Sequence, residues 1–156
     1  MLLVKLTIGK EEYAVESSCI KEIIPSVKLK NIPCCEDYIL GAINYHGLPV
    51  PVIDINMLCN ESETKNILTT RIIIIECGYS NILGIKAENV TETIRIDEDS
   101  LQRRSNNQRY TSLLGPVFEV NNSLIQILES DKILSKRAHD DLFNRTNDTS
   151  LTGEIL

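Results

Sequence analysis

The chain has 156 residues, of which 42% are hydrophobic, and a formal net charge of −6. This length suits one domain or two small lobes that share a core, and the hydrophobic fraction argues against wholesale disorder. Nucleic-acid binding requires excess positive charge, so 16 basic against 22 acidic residues argue against that role. No apolar run approaches the ~20 residues of a membrane span, and no export signal follows Met1. We therefore expect a cytoplasmic protein without membrane insertion.

The cysteine pattern gives no sign of a metal site or a disulfide framework. The five cysteines are odd in number and show no C-x-x-C spacing, and the chain has only two histidines. Reduced thiols are the simpler interpretation. We expect no metal and no cofactor.

Hydrophobic alternation predicts a β-hairpin at the start of the chain. Leu2–Ile8 alternates between apolar and polar residues, Gly9–Glu12 indicates a turn, and Tyr13–Val15 is the returning strand. The three isoleucines within Ile20–Ile24 have helical spacing, which Pro25 limits to about one turn. Alternation in residues 27–32 predicts a further strand.

A second hairpin is predicted around His46 and Gly47, with strands Gly41–Tyr45 and Leu48–Ile53. The returning strand carries prolines at positions 49 and 51, which lack a backbone donor. These prolines predict an edge strand, or a strand that leaves the sheet there. Asp54 is a candidate N-cap for a short helix that ends at Leu58.

The second half of the chain also predicts strands. Thr69–Cys77 contains four consecutive isoleucines, which imply burial on both faces, and residues 78–81 turn the chain into Ile82–Ala87. After a polar loop at Gln102–Gln108, Pro116–Val120 and Leu124–Leu128 form the last predicted hairpin. Asp131 is a candidate cap for a helix through Leu134, and residues 136–156 are a polar tail or a short docked helix.

A weak internal repeat indicates that one β-unit is used twice. Ile20, Glu22 and Ile24 are echoed at an offset of 70 residues by Val90, Glu92 and Ile94. A glycine followed by a hairpin, at positions 41 and 115, recurs at an offset near 75. Short, numerous strands without helical crossovers then predict a mainly β fold of two small barrels with a few short helices.

Catalytic motifs are missing from the sequence. It contains neither of the nucleotide-binding motifs G-x-x-x-x-G-K-[ST] and G-x-G-x-x-G. It also lacks the G-x-S-x-G motif of a nucleophile elbow and the H-E-x-x-H motif of a zinc-binding helix. No spacing ties His46 to a particular thiol or carboxylate, so an exposed turn histidine is the simpler interpretation. We therefore expect a protein that is not an enzyme.

The segment Ile39–Asp54, with sequence ILGAINYHGLPVPVID, resembles the CheW-type coupling proteins of bacterial chemotaxis. That family's signature is a Gly-Val-x-Asn-Leu-Arg-Gly run that leads into an apolar, proline-bearing strand ending in Asp. Glu12–Val15 resembles the family's first hairpin, and residues 20–23 resemble its Val/Ile-x-Glu-Ile element. Matching motifs continue in order from Leu2 to Ser135.

The resemblance implies two interlocked five-stranded β-barrels of the SH3/OB-like type, with an apolar groove between them. It implies a single domain over residues 1–135, with a second lobe at about residues 69–135 and chain exchange between the lobes. It further implies an adaptor that ties the cytoplasmic hairpin tip of a chemoreceptor to the regulatory domain of a histidine autokinase, which has the same double-barrel fold.

The resemblance also implies two sets of binding residues. The kinase-facing position is Ile72. The receptor-facing positions are Ile20, Glu22, Gly41, His46, Gly47 and Val90. For the apolar members the competing interpretation is plain core packing, and for the glycines it is backbone geometry.

His46 stands where the family usually has arginine. Histidine at neutral pH is mostly uncharged, so this departure predicts receptor docking that is weaker, differently partnered or pH-sensitive. Two functional alternatives stay open at this stage. One is a divergent adaptor for a non-flagellar pathway, and the other is a β-barrel that binds a small ligand.

Overall fold

The computed structural model describes residues 1–33, 35–76, 81–100, 113–134 and 136–148. Within these residues ten strands and two α-helices dominate, joined in places by short 3-10 turns. The strands are β1 (Leu2–Ile8), β2 (Glu11–Glu16), β3 (Ile20–Pro25), β4 (Ile39–Tyr45), β5 (Leu48–Asp54), β6 (Arg71–Glu76), β7 (Ile82–Ala87), β8 (Thr93–Arg95), β9 (Leu114–Val120) and β10 (Ser123–Leu128). The helices are α1 (Ile55–Leu58) and α2 (Lys136–Asp148).

The strands form two five-stranded units, which we call the first and second barrels. The first has the strand order β3-β6-β7-β5-β4, and the second has the order β8-β1-β2-β10-β9. Each contains one parallel pair, β5 with β7 and β2 with β10, and its other pairs are antiparallel. The predicted mainly β fold with two five-stranded units is confirmed.

The strand register confirms the internal repeat. In the second barrel Ala14 pairs with Ile127, and in the first Gly84 pairs with Val52. Positions 14 and 84 differ by 70, and positions 52 and 127 differ by 75, which are the two offsets read from the sequence. The two barrels are therefore built to one pairing scheme.

The two halves of the chain exchange hairpins. The hairpin β1–β2 lies between β8 and β10, with β9 beyond β10, whereas the hairpin β6–β7 lies between β3 and β5, with β4 beyond β5. The lobe expected at residues 69–135 is thus divided, with β6 and β7 in the first barrel and the later strands in the second. Each barrel consists of two strands from one half of the chain and three from the other.

Three apolar clusters form the core. The first barrel is filled by Ile43, Val50, Val52, Ile72 and Ile74. The second is filled by Leu3, Ala14, Phe118, Ile125 and Ile127. The largest cluster, which we call the seam core, joins the barrels and includes Leu6, Val15, Ile53, Ile73, Ile75 and Leu142. The apolar groove that the resemblance implies between the barrels is filled along this cluster by the chain's own side chains.

Strand β6 contributes to two of these clusters. Ile72 and Ile74 point into the first barrel, Ile73 and Ile75 point into the seam core, and all four are 0% exposed. The predicted burial of this strand on both faces is confirmed. Its isoleucines suit this position because branching at Cβ packs well on a pleated surface.

Two predictions for residues 20–32 are wrong. Ile20–Pro25 is strand β3, paired with β6, and not a helical turn. Three β-branched residues within five positions carry too little periodicity to outweigh pairing with a neighbouring strand. The alternating segment at residues 27–32 forms only one bridge, between Lys30 and Ala42.

The edge-strand prediction for β5 is wrong in part, because β5 lies between β7 and β4. However, β7 pairs only with Val52–Asp54, so the prolines at positions 49 and 51 precede that pairing. Ala42, which faces Pro51 across the β4–β5 pair, directs both of its backbone hydrogen bonds to Lys30 instead. Pro51 has no N–H to donate to the Ala42 carbonyl, but the Lys30 N–H donates to this carbonyl instead.

The C-terminal part of the chain also departs from prediction. The predicted Asp131 cap is wrong, because Asp131 lies within a 3-10 turn, Ser130–Lys132, whose N-cap is Glu129. Helix α2 follows and packs on the seam core through Leu142, which is 2% exposed. The predicted loop at Gln102–Gln108 and residues 78–80 of the predicted turn lie outside the described residues.

Asp54 is confirmed as the N-cap of α1, and it also holds the next loop. Its Oδ1 accepts hydrogen bonds from the backbone N–H groups of Asn56, at 3.0 Å, and Met57, at 3.3 Å. The Thr64 hydroxyl donates to the same oxygen at 2.5 Å, and the Thr64 N–H donates to Oδ2 at 2.8 Å. Asp54 is 1% exposed, so these four donors replace the water that burial removes.

We predict that Asp54→Ala lowers the free energy of unfolding by about 2–4 kcal/mol, because a helix cap is lost and buried donors are left unpaired. Chemical denaturation followed by far-UV circular dichroism measures the change. The matched control is Glu63→Ala, an exposed carboxylate in the same loop, which should alter stability by less than about 0.5 kcal/mol. Equal effects of the two substitutions would contradict the role given to Asp54.

Candidate protein-binding surfaces

Strand direction defines two ends of the first barrel. Strands β3, β5 and β7 run in one direction, and β4 and β6 run in the other. The β4–β5 turn and the start of β3 therefore share one end, which we call the turn end. The opposite end, where β3 finishes and β6 begins, we call the cleft end. Residues 71–75 of β6 separate the two by about 13 Å at the usual rise per residue.

The tight turn at the turn end is formed by His46 and Gly47. Their φ angles are 49° and 84°, and two positive φ values at the centre of a two-residue hairpin are typical of a type I′ turn. The Gly47 N–H donates to Oδ1 of Asn44 at 2.8 Å. A Cβ on Gly47 would meet nothing within 4 Å, so glycine is required for its conformation and not for space.

Glu22, Tyr45 and His46 form a polar group beside this turn. The Tyr45 hydroxyl donates to Oε1 of Glu22 at 3.1 Å, and Nε2 of His46 lies 3.8 Å from the same oxygen. The rings of Tyr45 and His46 meet edge to face, with centroids 4.5 Å apart. The side chains of His46 and Glu22 are 75% and 49% exposed, so a partner can reach both.

Tyr45 is neutral in this arrangement. Burial raises the pKa of its phenol above the usual value of 10.0, and the hydrogen bond and charge of Glu22 raise this pKa further. The hydroxyl thus remains a donor at neutral pH. The carboxylate of Glu22 is consequently held by an uncharged group.

The hydrogen bond between Tyr45 and Glu22 also closes the first barrel. Strands β3 and β4 lie at opposite edges of the sheet, and this bond joins them at the turn end. A register shift between Ile20 and Glu22 places Ile20 against the seam core, while Ile24 packs with the barrel interior. Such bulges redirect side chains at barrel rims, and here the bulge leaves Glu22 facing Tyr45.

The structure does not bring all the predicted receptor-facing residues together. Glu22, His46 and Gly47 lie at the turn end, and Ile20 lies beneath them at the start of β3. Val90 is 7% exposed, packs in the seam core and donates its N–H to the Thr69 carbonyl, near the cleft end.

Gly41 is a buried backbone position with φ 148°. A Cβ there would collide with the backbone carbonyl of Lys30 and lie 3.0 Å from Cβ of Leu29. The close approach of residues 29 and 30 covers the outer edge of β4 at Ala42. Glycine at this position is therefore explained by chain packing.

Ile72, the predicted kinase-facing residue, is 0% exposed and lies inside the first barrel. A partner has no access to this side chain while the barrel is folded. The neighbouring residue Arg71, by contrast, lines an open cleft at the cleft end.

The cleft combines exposed apolar side chains with three cations. Leu68 is 92% exposed, Val27 is 47% exposed and Ile67 is 45% exposed. Lys28, Arg71 and Lys86 line the same cleft, whose volume is about 880 Å³. The Arg71 guanidinium donates to the backbone carbonyls of Leu68 and Thr70, which fixes it at the rim.

Sequence reasoning missed this cleft because its residues come from three separate segments. Each segment alone reads as an ordinary solvated loop or strand end. A usable signal was Leu68, an apolar residue outside any alternating pattern, followed closely by Arg71 in an acidic chain.

The described residues offer no group of three or more His, Cys, Asp or Glu side chains placed to hold a metal ion. Nor does any helix in the described ranges have the length and apolar character needed to cross a membrane.

Comparison with known proteins identifies the family. A sequence model of the CheW-like domain matches residues 2–138. The chain belongs to the CheW-like family. The resemblance of Ile39–Asp54 to this family is thereby confirmed, and most of helix α2 lies beyond the matched region.

Relatives with this name cover most of the chain. The chemotaxis protein CheW of Bacillus subtilis is 27% identical over 139 residues, which cover 87% of this chain and 88% of the relative. The chemotaxis protein CheW of Helicobacter pylori is 29% identical over 133 residues, covering 83% and 78%. The crystal structure of the scaffolding protein TtCheW from Thermoanaerobacter tengcongensis superposes with a TM-score of 0.79, at 23% identity, covering 88% and 89% of the two chains. This last similarity establishes the fold.

Gly41, in the edge strand β4, and Gly47, at the turn end, should respond differently to substitution. We predict that Gly41→Ala lowers the free energy of unfolding by at least about 2 kcal/mol, because the new Cβ overlaps the Lys30 carbonyl. Gly47→Asn should cost less than about 1 kcal/mol, because asparagine tolerates positive φ and the position is open. Thermal and urea denaturation measure both. A Gly41→Ala protein as stable as the wild type would disprove the packing explanation.

Proposed function

We propose that this CheW-like chain is an adaptor that couples a chemoreceptor to a histidine autokinase in a bacterial chemosensory array. The family match over residues 2–138 and the chemotaxis relatives support this role. The observation that carries it furthest is the presence of two accessible surfaces of different chemistry at opposite ends of one rigid barrel. An adaptor needs two such surfaces and no catalytic group.

The turn end is the proposed receptor-binding surface. It presents Glu22, His46 and the Gly47 turn, together with Leu48, which is 53% exposed. The type I′ turn and the Tyr45 hydrogen bond fix these groups before any partner arrives, and this preorganisation lowers the entropy cost of binding. A receptor hairpin tip would meet a defined surface with an apolar side chain beside a polar pair.

The cleft end is the proposed kinase-binding surface, in place of Ile72. Leu68 can insert into an apolar pocket of the partner, and exposed side chains of this kind act as anchors when a partner buries them. Lys28, Arg71 and Lys86 surround it on a chain whose net charge is −6. A kinase regulatory domain that binds here would carry an apolar depression bordered by acidic residues.

The separation of the surfaces allows both partners to bind together. About 13 Å of β6 lies between them, and the four isoleucine side chains of that strand, Ile72–Ile75, are fully buried. A typical coupling free energy of about 1–3 kcal/mol could pass from one end to the other through this packed strand. The receptor's conformation would then change how the kinase is held.

The structure bears differently on the two alternative functions, a non-flagellar adaptor and a barrel that binds a small ligand. A non-flagellar adaptor would use the same surfaces, so the structure favours neither output. The small-ligand alternative is weakened because the interiors of both barrels are filled by their own side chains, such as Val50 and Phe118.

We predict that Leu68→Glu weakens binding of the kinase regulatory domain by about 30-fold, as expected when a central apolar anchor is lost. Binding of the receptor tip should be unchanged. Titration calorimetry with each purified partner measures both affinities. The matched control is Leu124→Glu, since Leu124 is 54% exposed on the second barrel.

The reciprocal variant is Leu48→Asp at the turn end. We expect it to weaken capture of the receptor tip by about tenfold or more while kinase binding is retained. A pull-down that uses both partners together should then show loss of the ternary complex with either variant. If the wild-type chain captures neither partner, the adaptor function is wrong.

A further inference from the structure

The turn end carries an unneutralised negative charge. Among the described residues, the groups that contact the Glu22 carboxylate are Tyr45, which is neutral, and His46, which is charged only if protonated. Lys21, the neighbouring cation in β3, lies 3.6 Å from Glu76 and is engaged there. No lysine or arginine of the described chain pairs with Glu22.

The contacts of Glu22 use one side of its carboxylate. Both Tyr45 and His46 approach Oε1, and the side chain is 49% exposed. Within the described ranges no residue contacts Oε2, which therefore keeps its capacity to accept a hydrogen bond. A carboxylate held in place with one oxygen free is suited to accept a charge-assisted hydrogen bond from a cation.

We propose that the turn end recognises a basic side chain, lysine or arginine, of the receptor hairpin tip, and that Tyr45 positions Glu22 to accept it. This inference rests on the proposed function and adds the chemistry of the receptor. Tyr45 acts through Glu22 and is a positioning residue. Because its hydroxyl carries no charge, it orients the carboxylate without cancelling its attraction for a cation.

The same geometry accounts for histidine at position 46. A permanently charged guanidinium at this turn would lie beside Glu22 and would compete with an incoming cation for the carboxylate. Histidine carries a charge only when protonated, so it competes less for Glu22 than a permanently charged guanidinium does. The sequence predicted that histidine at position 46 makes receptor docking weaker, differently partnered or pH-sensitive. Of these three outcomes, the geometry favours docking to a receptor surface of different chemistry.

The second barrel provides a matched control carboxylate. Glu92 lies 70 residues after Glu22, at the equivalent place in the repeat, and its side chain is 65% exposed. Unlike Glu22, it is paired with a cation, Lys5, at 3.4 Å. Glu92→Gln removes the same charge from the chain as Glu22→Gln, so the two variants differ in the position of the lost charge.

The test is titration calorimetry of the full chain with a soluble fragment bearing the hairpin tip of a chemoreceptor from the same organism, at low and high salt. We expect Glu22→Gln to weaken binding by about tenfold and to reduce its salt dependence, because a charge pair with the receptor is lost. The glutamine oxygen can still accept from Tyr45, so the barrel stays closed. Glu92→Gln should leave both affinity and salt dependence unchanged.

Two further variants separate positioning from folding. Tyr45→Phe should weaken binding by about three- to fivefold with the salt dependence retained, because the charge stays but is less well oriented. His46→Arg should weaken binding by about tenfold, because the guanidinium neutralises Glu22. Melting temperatures of the free variants show whether each remains folded.

The outcomes distinguish failure of the basic-partner inference from failure of the proposed adaptor function. If the wild type binds the tip but Glu22→Gln matches Glu92→Gln, or if His46→Arg binds more tightly, the basic-partner inference is overturned and the adaptor function stands. A Tyr45→Phe protein with a lower melting temperature and unchanged affinity would limit Tyr45 to a structural role. If the wild type does not bind the tip, both proposals are wrong.

Discussion

Burial of β6 on both faces is the constraint on which the rest of the structure depends. Its isoleucines alternate between the interior of the first barrel and the seam core, and none has exposed surface. Burying four such side chains contributes roughly 6–12 kcal/mol of gross hydrophobic free energy, which is comparable to the net stability of a whole domain. Because one strand serves two clusters, the first barrel and its packing against the second are stabilised together.

This buried strand lies between the two proposed binding surfaces, which are at opposite ends of the first barrel. Tyr45 and Glu22 join the two edge strands at one end, and Arg71 is held by backbone carbonyls at the other. Neither surface needs to be ordered by its partner. In the proposed function, recognition depends on which side chains the two barrel ends present, while the interior sets their spacing.

The sequence predicted the fold well because burial and strand formation produce patterns within short stretches of residues. The isoleucine run of β6, the alternation of β1 and the Asp54 cap each follow from the side chains of a few consecutive residues. The repeat offsets of 70 and 75 relate equivalent positions in the parallel strand pairs of the two barrels. Prediction failed at Ile20–Pro25, where pairing with a distant strand decides the conformation, and at Asp131, where several nearby polar groups could have acted as caps.

The candidate site was less predictable, since accessibility is a property of the folded molecule. Ile72 and Leu68 are both apolar and only four residues apart, yet one is 0% exposed and the other 92%. The contact between Tyr45 and Glu22 joins residues 23 positions apart on opposite edges of a sheet. Nothing in the local sequence marks such a contact before the barrel closes.

The exchange of hairpins has a consequence for synthesis of the chain on the ribosome. Strand β2 leaves the ribosome long before its parallel partner β10, because the pair Ala14–Ile127 joins residues 113 positions apart. Until then one side of the first hairpin lacks its final neighbour and leaves apolar groups uncovered. The second barrel can therefore close only after β10 has been made, so its folding depends on a contact that is distant in sequence.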